Sequence, residues 1–329
     1  MIGRDRRVLV TGAAGFVGAN LCAHLVATGR RVTAWVRPAD SADSARAPLS
    51  RWRHAALVDC ELREVDLLDA ESVERGLADC SPCAVVHCAR GNVSAAATWS
   101  EASATSLSGT AHLLDALDRL RLASGQSPRL VHVGSSLELR AAERPLREDD
   151  PIDPDSRLGA IKAAEGHLVR AFLDSGHRGA ILRVFSACGP WEAPHRLIPT
   201  AIRCLRTGVP LSLTQRGLAR DWIHVDDVAS ALARAAEDDA PDGVFHLGSG
   251  IEHDSDTVVE TLARLAGKPI EIRRGYAPHA TDRAHWCADL SRTRAVLGWR
   301  PRHDLVSGLR ATLAWWSARD PDFDAPLVD

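Results

Sequence analysis

Three glycines, Gly12, Gly15 and Gly18, follow a short β-branched run, Val8-Leu9-Val10, and Thr11. An apolar helical pattern (Phe16, Val17, Leu21, Leu25) begins at once. Strand, glycine turn and helix in that order make a cradle for a dinucleotide pyrophosphate. Gly12 lets the chain turn off the strand, Gly15 lets the backbone approach the phosphates, and Gly18 lets the helix pack on the sheet. The helix N-terminus then faces the anion with free N–H groups and a positive dipole end.

The next strand supplies a second chemical signal. Arg31–Val36 reads as strand two, whose end carries Asp or Glu in a fold that selects NAD through the ribose 2′-hydroxyl. Here Val36 is followed by Arg37. A guanidinium with no carboxylate welcomes a 2′-phosphate, so the sequence predicts NADP, with NAD as the alternative. Lysine occurs only at Lys162 and Lys268, and tyrosine only at Tyr276. An ammonium can shift its pKa and a guanidinium cannot, so a lysine kept in an arginine-rich chain points to a task for Lys162.

The elements that must position these residues alternate. Strands are expected near Arg31–Val36, Glu64–Leu67, Ala84–Ala89, Leu130–Val133 and Ala180–Val184. Helical patterns run through about 102–120 and 158–173, and residues 40–56 read as a loop with an irregular helix. This rhythm predicts an α/β chain with a doubly wound parallel sheet. Beyond residue 185 prolines interrupt the pattern. Arg220–Val228 and Gly243–Gly250 read as short strands with turns, and helices return near Thr257–Leu265 and Gly308–Trp316. The expected division is a Rossmann-type dinucleotide-binding domain over 1–184, to which 217–250 returns. A smaller, discontinuous substrate-binding domain takes 185–216 and 251–329.

Composition narrows the function. The 329 residues allow a sizeable core. A net charge of -3 gives no nucleic-acid or membrane surface. No apolar run approaches the length of a membrane span, and the N-terminus lacks a signal-peptide core. Scattered cysteines fit reduced thiols and a cytoplasmic location. Cys80-Ser-Pro-Cys83 has no second pair at zinc spacing, so no metal is expected.

Ordered blocks now carry a resemblance. They include Thr11-Gly-Ala-Ala-Gly-Phe-Val-Gly18, Asp66-Leu67, His87-Cys-Ala89 and Ser108-Gly-Thr110. Arg183-Val-Phe-Ser-Ala-Cys-Gly-Pro190, Arg220-Asp-Trp-Ile-His-Val-Asp-Asp227 and Leu297-Gly-Trp-Arg-Pro301 complete them. The chain resembles an extended short-chain dehydrogenase/reductase of the nucleotide-sugar epimerase, dehydratase and ketoreductase group over nearly its whole length. The resemblance implies a cofactor held by Gly12, Ala14, Gly15, Phe16, Val17, Gly18, Arg37, Asp66, Leu67, Cys88, Ala89 and Lys162. It implies a nucleotide-sugar or other small keto substrate held by Ser186, Arg196, Leu197 and Arg220. It also implies a homodimer through the helices around 102–120 and 158–173, whose outer faces carry apolar residues such as Leu113, Leu117, Leu168 and Phe172, some of which must pack on the sheet.

The family's catalytic device is a serine or threonine after the fifth strand plus Tyr-x-x-x-Lys on the next helix. Ser135, with Ser136 beside it, falls at the serine, and Lys162 at the lysine, but Leu158 stands where the tyrosine belongs. The proton carrier could be Lys162, Ser135 or Ser136 through a water, Cys188, a substrate hydroxyl or a distant Tyr276. Alternatively the chain binds without turnover, as a regulatory or partner protein. A family 4,6-dehydratase uses an Asp-Glu pair where this chain has Ser136 and Leu137. A ketoreductase needs only one proton, so reduction of a keto-deoxysugar nucleotide by NADPH is the expected reaction, with an epimerase or atypical dehydratase as the alternative.

Overall fold

The computed structural model describes residues 7–38, 52–91, 97–275 and 282–318. Seven parallel strands form the main sheet: β1 (Arg7–Thr11), β2 (Arg31–Val36), β3 (Glu61–Glu64), β4 (Ala84–His87), β5 (Arg129–Ser135), β6 (Gly179–Val184) and β10 (Gly243–Leu247). Their order is β10-β6-β5-β4-β1-β2-β3, the Rossmann order with one strand appended. Central strands are buried on both faces, which is why they read as unbroken apolar runs rather than alternating ones.

Helices cover both faces. One layer holds α1 (Phe16–Ala27), and the other holds α2 (Ala70–Cys80), α4 (Thr110–Ser124) and α5 (Arg157–Asp174). A short α3 (Trp99–Ala104) leads through a π-helical turn into α4. The chain order changes direction between β1 and β4, so their carboxyl ends open the crevice in which such sheets bind ligands.

The remaining chain builds a second core from α6 (Leu197–Thr207), α8 (Ser255–Ala266) and α9 (Leu305–Ser317). Two small sheets flank it. One contains β7 (Ser186–Cys188), β9 (Ala219–His224) and β11 (Glu252–Asp254), and the other pairs β8 (Leu211–Leu213) with β12 (Ile272–Arg274). Helix α7 (Val225–Ala235) packs against α1.

Three local expectations change. The third strand is Glu61–Glu64, so Asp66 lies in the turn after it, where its Oδ1 accepts the Leu68 N–H (2.9 Å). The stretch expected as a strand over Arg220–Val228 turns into α7 at Val225, because Asp226 and Asp227 favour the positive end of a helix. Finally, Leu113, Leu117 and Phe172 pack inward against the sheet, and of the four apolar residues expected outward only Leu168 is exposed. Most of residues 40–56 and Tyr276 lie outside the described residues. Among the described residues no helix is long and apolar enough to cross a membrane.

Candidate active site

The glycine turn has the shape a pyrophosphate requires. Gly12 has φ +62°, and a Cβ there would stand 2.6 Å from the Ala89 backbone. A side chain at Gly18 would collide with the Gly12 carbonyl. Helix α1 starts at Phe16 with no side-chain cap at Gly15 and no acid in its first turn. Its leading N–H groups therefore meet no competing carboxylate, which fits an anion. Ala14, Gly15, Phe16 and Val17 are half-buried around the turn. Cys88 and Ala89 leave β4 beside it, their N–H groups donating to Thr11 O (3.2 Å) and Thr11 Oγ1 (3.4 Å). Arg37 is exposed at the end of β2. Leu67 is buried, and its carbonyl accepts a bond from His112 Nδ1 (2.8 Å).

Ser135 ends β5 on the same carboxyl edge. Its Oγ accepts the Leu137 N–H (3.2 Å), and its own N–H donates to Glu138 Oε1 (2.7 Å). The other Glu138 oxygen accepts Arg183 Nε (2.8 Å), so a buried ion pair braces the serine turn from behind. Gly134 makes room, since a Cβ there would come within 2.7 Å of Glu138 Oε1. The Ser136 hydroxyl is taken: it accepts Trp286 Nε1 (2.9 Å).

Helix α5 meets this turn at Gly159, where any Cβ would collide with Leu137 O. Leu158 is thereby brought beside the serine turn, half-buried and outside every buried apolar cluster. One turn further on, Lys162 is 6 % exposed. Its Nζ donates to Val133 O (2.9 Å) and pairs with Glu165 Oε2 (2.9 Å). Burial raises the Glu165 carboxyl above its ordinary range, against the pull of Lys162. Burial also keeps His87 neutral, lowered to about 3.

The residues expected to hold substrate come from the second core and its sheets. Ser186 opens β7 and is buried, Arg196 stands at the N-cap of α6, and Leu197 is that helix's first residue. Arg220 on β9 pairs with Asp282 through Nη2 (2.7 Å). Its neighbour Asp221 instead accepts the N–H and hydroxyl of Ser249 and the N–H groups of Gly250 and Ala288. Between Ser186 and Arg196 lies Glu192, 2 % exposed and with no hydrogen-bond partner on either oxygen. Burial lifts its carboxyl to about 7, and the Arg196 Nε, 3.6 Å away, opposes that rise.

Two candidates leave the site. Cys188 is buried in the second core, its thiol donates to Ile223 O (3.5 Å), and burial pushes its pKa well up. Cys80 and Cys83 lie at the amino-terminal edge of the sheet, beside a hollow of about 720 Å³ lined by Arg7, Arg31 and Asp238. Neither is in a disulfide, and Cys83 Sγ donates to Arg7 O (3.2 Å). Glu138, Glu165 and Glu192 have no part in the site expected from sequence. Only Glu165 left a legible trace there, an i,i+3 spacing from one of two lysines.

A doubly wound sheet with a glycine cradle at its switch point, and a serine turn on which the lysine-bearing helix packs, define an extended short-chain dehydrogenase/reductase. Residues 8–260 match the NAD dependent epimerase/dehydratase family, and the chain belongs to it. It is 34% identical to the dTDP-glucose 4,6-dehydratase of Mycolicibacterium smegmatis, over 98% of this chain and 96% of that protein. It is 27% identical to the UDP-glucose 4-epimerase of Thermus thermophilus, solved with NAD (TM-score 0.78, 95% and 100% covered). The dTDP-glucose 4,6-dehydratase of Bacillus anthracis, also solved with NAD, shares the fold at 22% identity (TM-score 0.82, 98% and 100% covered).

Proposed function

We propose that this chain carries out a reversible oxidation at a sugar carbon of a nucleotide-linked sugar, in the manner of an epimerase. The three relatives act on nucleotide sugars by their names, and none of the three is a ketoreductase. The reduction expected from sequence therefore has no support from them. Against 4,6-dehydration stands the site itself. That reaction moves protons at adjacent carbons, and residues 136–137 offer a hydroxyl occupied by Trp286 and a leucine.

The observation that carries the reading is that Gly159 packs on the turn whose Leu137 N–H bonds Ser135 Oγ, while Lys162, one helical turn on, donates to Val133 O of the same strand. A nicotinamide bound in the glycine cradle supplies the hydride chemistry. Ser135 orients the sugar oxygen, and Lys162 takes and returns its proton. Arg220 and Arg196 hold the diphosphate, which bidentate guanidinium groups suit. Arg37 lets the cradle accept NADP as well as the NAD carried by the solved relatives.

Mass and ultraviolet analysis of the purified protein, followed by product analysis with UDP- and dTDP-hexoses, tests this reading. Retained dinucleotide and interconverted sugars with no net cofactor consumption are expected. Stoichiometric NADPH consumption would restore the reductase, and an accumulating 4-keto-6-deoxy product would restore the dehydratase. Leu158 favours one further reading, a protein that binds cofactor and nucleotide without turnover. Binding of both with no sugar converted would establish it.

A further inference from the structure

Thr11, His87 and His132 are register partners across β1, β4 and β5, so their side chains share one row on one face of the sheet. His87 joins Thr11 Oγ1 through Nδ1 (2.7 Å) and Thr110 Oγ1 through Nε2 (2.9 Å). Glu165 of α5 closes the row from above. Its Oε1 lies 3.4 Å from Thr110 Oγ1, 3.7 Å from His87 Nε2 and 3.9 Å from His132 Nδ1. Its Oε2 meets Lys162 at 2.9 Å. All of these groups are buried, Glu165 and His132 completely.

Two imidazoles and a carboxylate in this arrangement could suit a metal ion. The Lys162 ammonium on the same carboxylate and the two threonine bonds to His87 argue against one. A buried charge this close to a lysine serves the lysine instead.

We propose that Glu165 is the positioning residue that sets the protonation of Lys162, so that the pair replaces the missing phenol as proton carrier. This rests on the reading of Lys162 given above. Glu165 Oε2 lies 2.9 Å from Nζ, within reach of a direct proton transfer. Proton transfer from Nζ to Oε2 leaves an amine with a free electron pair. That pair takes the proton of the substrate hydroxyl: the O–H bond breaks and an N–H bond forms, and a nicotinamide held in the glycine cradle would be the acceptor for the hydride from the same carbon. The reverse sequence returns the proton to the sugar oxygen. His87 and His132 face the pair as neutral rings. Glu138 from the serine turn disfavours a second negative charge, Arg90 favours it, and Lys162 faces Cys88.

The two-lysine composition makes the claim measurable without substrate. In the full-length protein labelled with [13Cε]lysine, Lys268→Arg identifies the Lys162 resonance. Glu165→Gln should lower the Lys162 titration midpoint by at least one pH unit, with Lys268 unmoved. Glu165→Asp should restore most of the shift and covers a poorly folded glutamine variant. With substrate, Glu165→Gln should shift the pH–kcat profile and lower kcat tenfold or more, while KM and cofactor affinity stay within about threefold. An unchanged Lys162 midpoint, or an unchanged profile accompanied only by a lower melting temperature, overturns the inference. Full activity of Lys162→Met would overturn the underlying reading separately, whatever Glu165 does to the midpoint.

Discussion

Gly159 lies against the carbonyl oxygen of Leu137 so closely that no side chain fits between them. That contact puts the first turn of α5, which begins at Arg157 and includes Leu158, on the serine turn. Helix propensity favours alanine over glycine by about 1 kcal/mol, but a backbone oxygen cannot yield to the new methyl. Gly159→Ala should therefore destabilise the fold by roughly 1–3 kcal/mol in urea unfolding. Equal or higher stability would mean that the helix rests on the turn less tightly than the contact shows.

Leu158→Tyr places a phenol one turn from the Lys162 ammonium. The half-buried site already admits a large side chain. Product assays should show turnover raised by at least tenfold, since a positioned acid contributes ~10²–10⁴-fold. Unchanged or lower turnover with intact folding would show that Leu158 does not border the reacting oxygen.

Arg37→Ala should weaken NADP binding by ten- to a hundredfold, as loss of a charge-assisted contact costs about 1.5–3 kcal/mol. NAD affinity should not change. Calorimetric titration with both cofactors checks this, and equal losses for the two would remove the 2′-phosphate from the account.

Glu192 gives a pH-dependent prediction. Its folded-state pKa, about 7, lies above the ordinary value of 4.5. The folded protein therefore binds this proton more tightly, and the associated stability is full below about pH 4.5 and lost as pH rises to about 7. Glu192→Gln abolishes the loss. The variant should match wild type near pH 4.5 and exceed it at pH 8 by on the order of 2–3 kcal/mol in thermal melts. A constant difference at both pH values would mean that another group titrates.

The sheet and the glycine cradle were legible because both rest on local rules: apolar runs of strand length, and glycines between a strand and a helix. Leu158 was legible as a departure from a spacing. The third strand was misplaced because Glu61–Glu64 is an exposed edge strand with little apolar signal. The carboxylates were the larger omission. Glu138 and Glu192 look like ordinary surface acids in a chain with 43 acidic residues, and Glu165 showed only its spacing from Lys162. What makes them chemical is burial, and burial depends on contacts across 45 residues for Glu138–Arg183 and 78 for Glu165–His87. No sequence window contains those pairs.

The central claim is that Lys162 carries the proton where Leu158 stands in place of the family's tyrosine. The most direct measurement is kcat of Lys162→Met at saturating cofactor and nucleotide sugar, beside its cofactor affinity. The account predicts a fall of at least ~10²-fold, beyond any loss explained by weaker cofactor binding. A kcat equal to wild type would contradict it and assign the proton to another group.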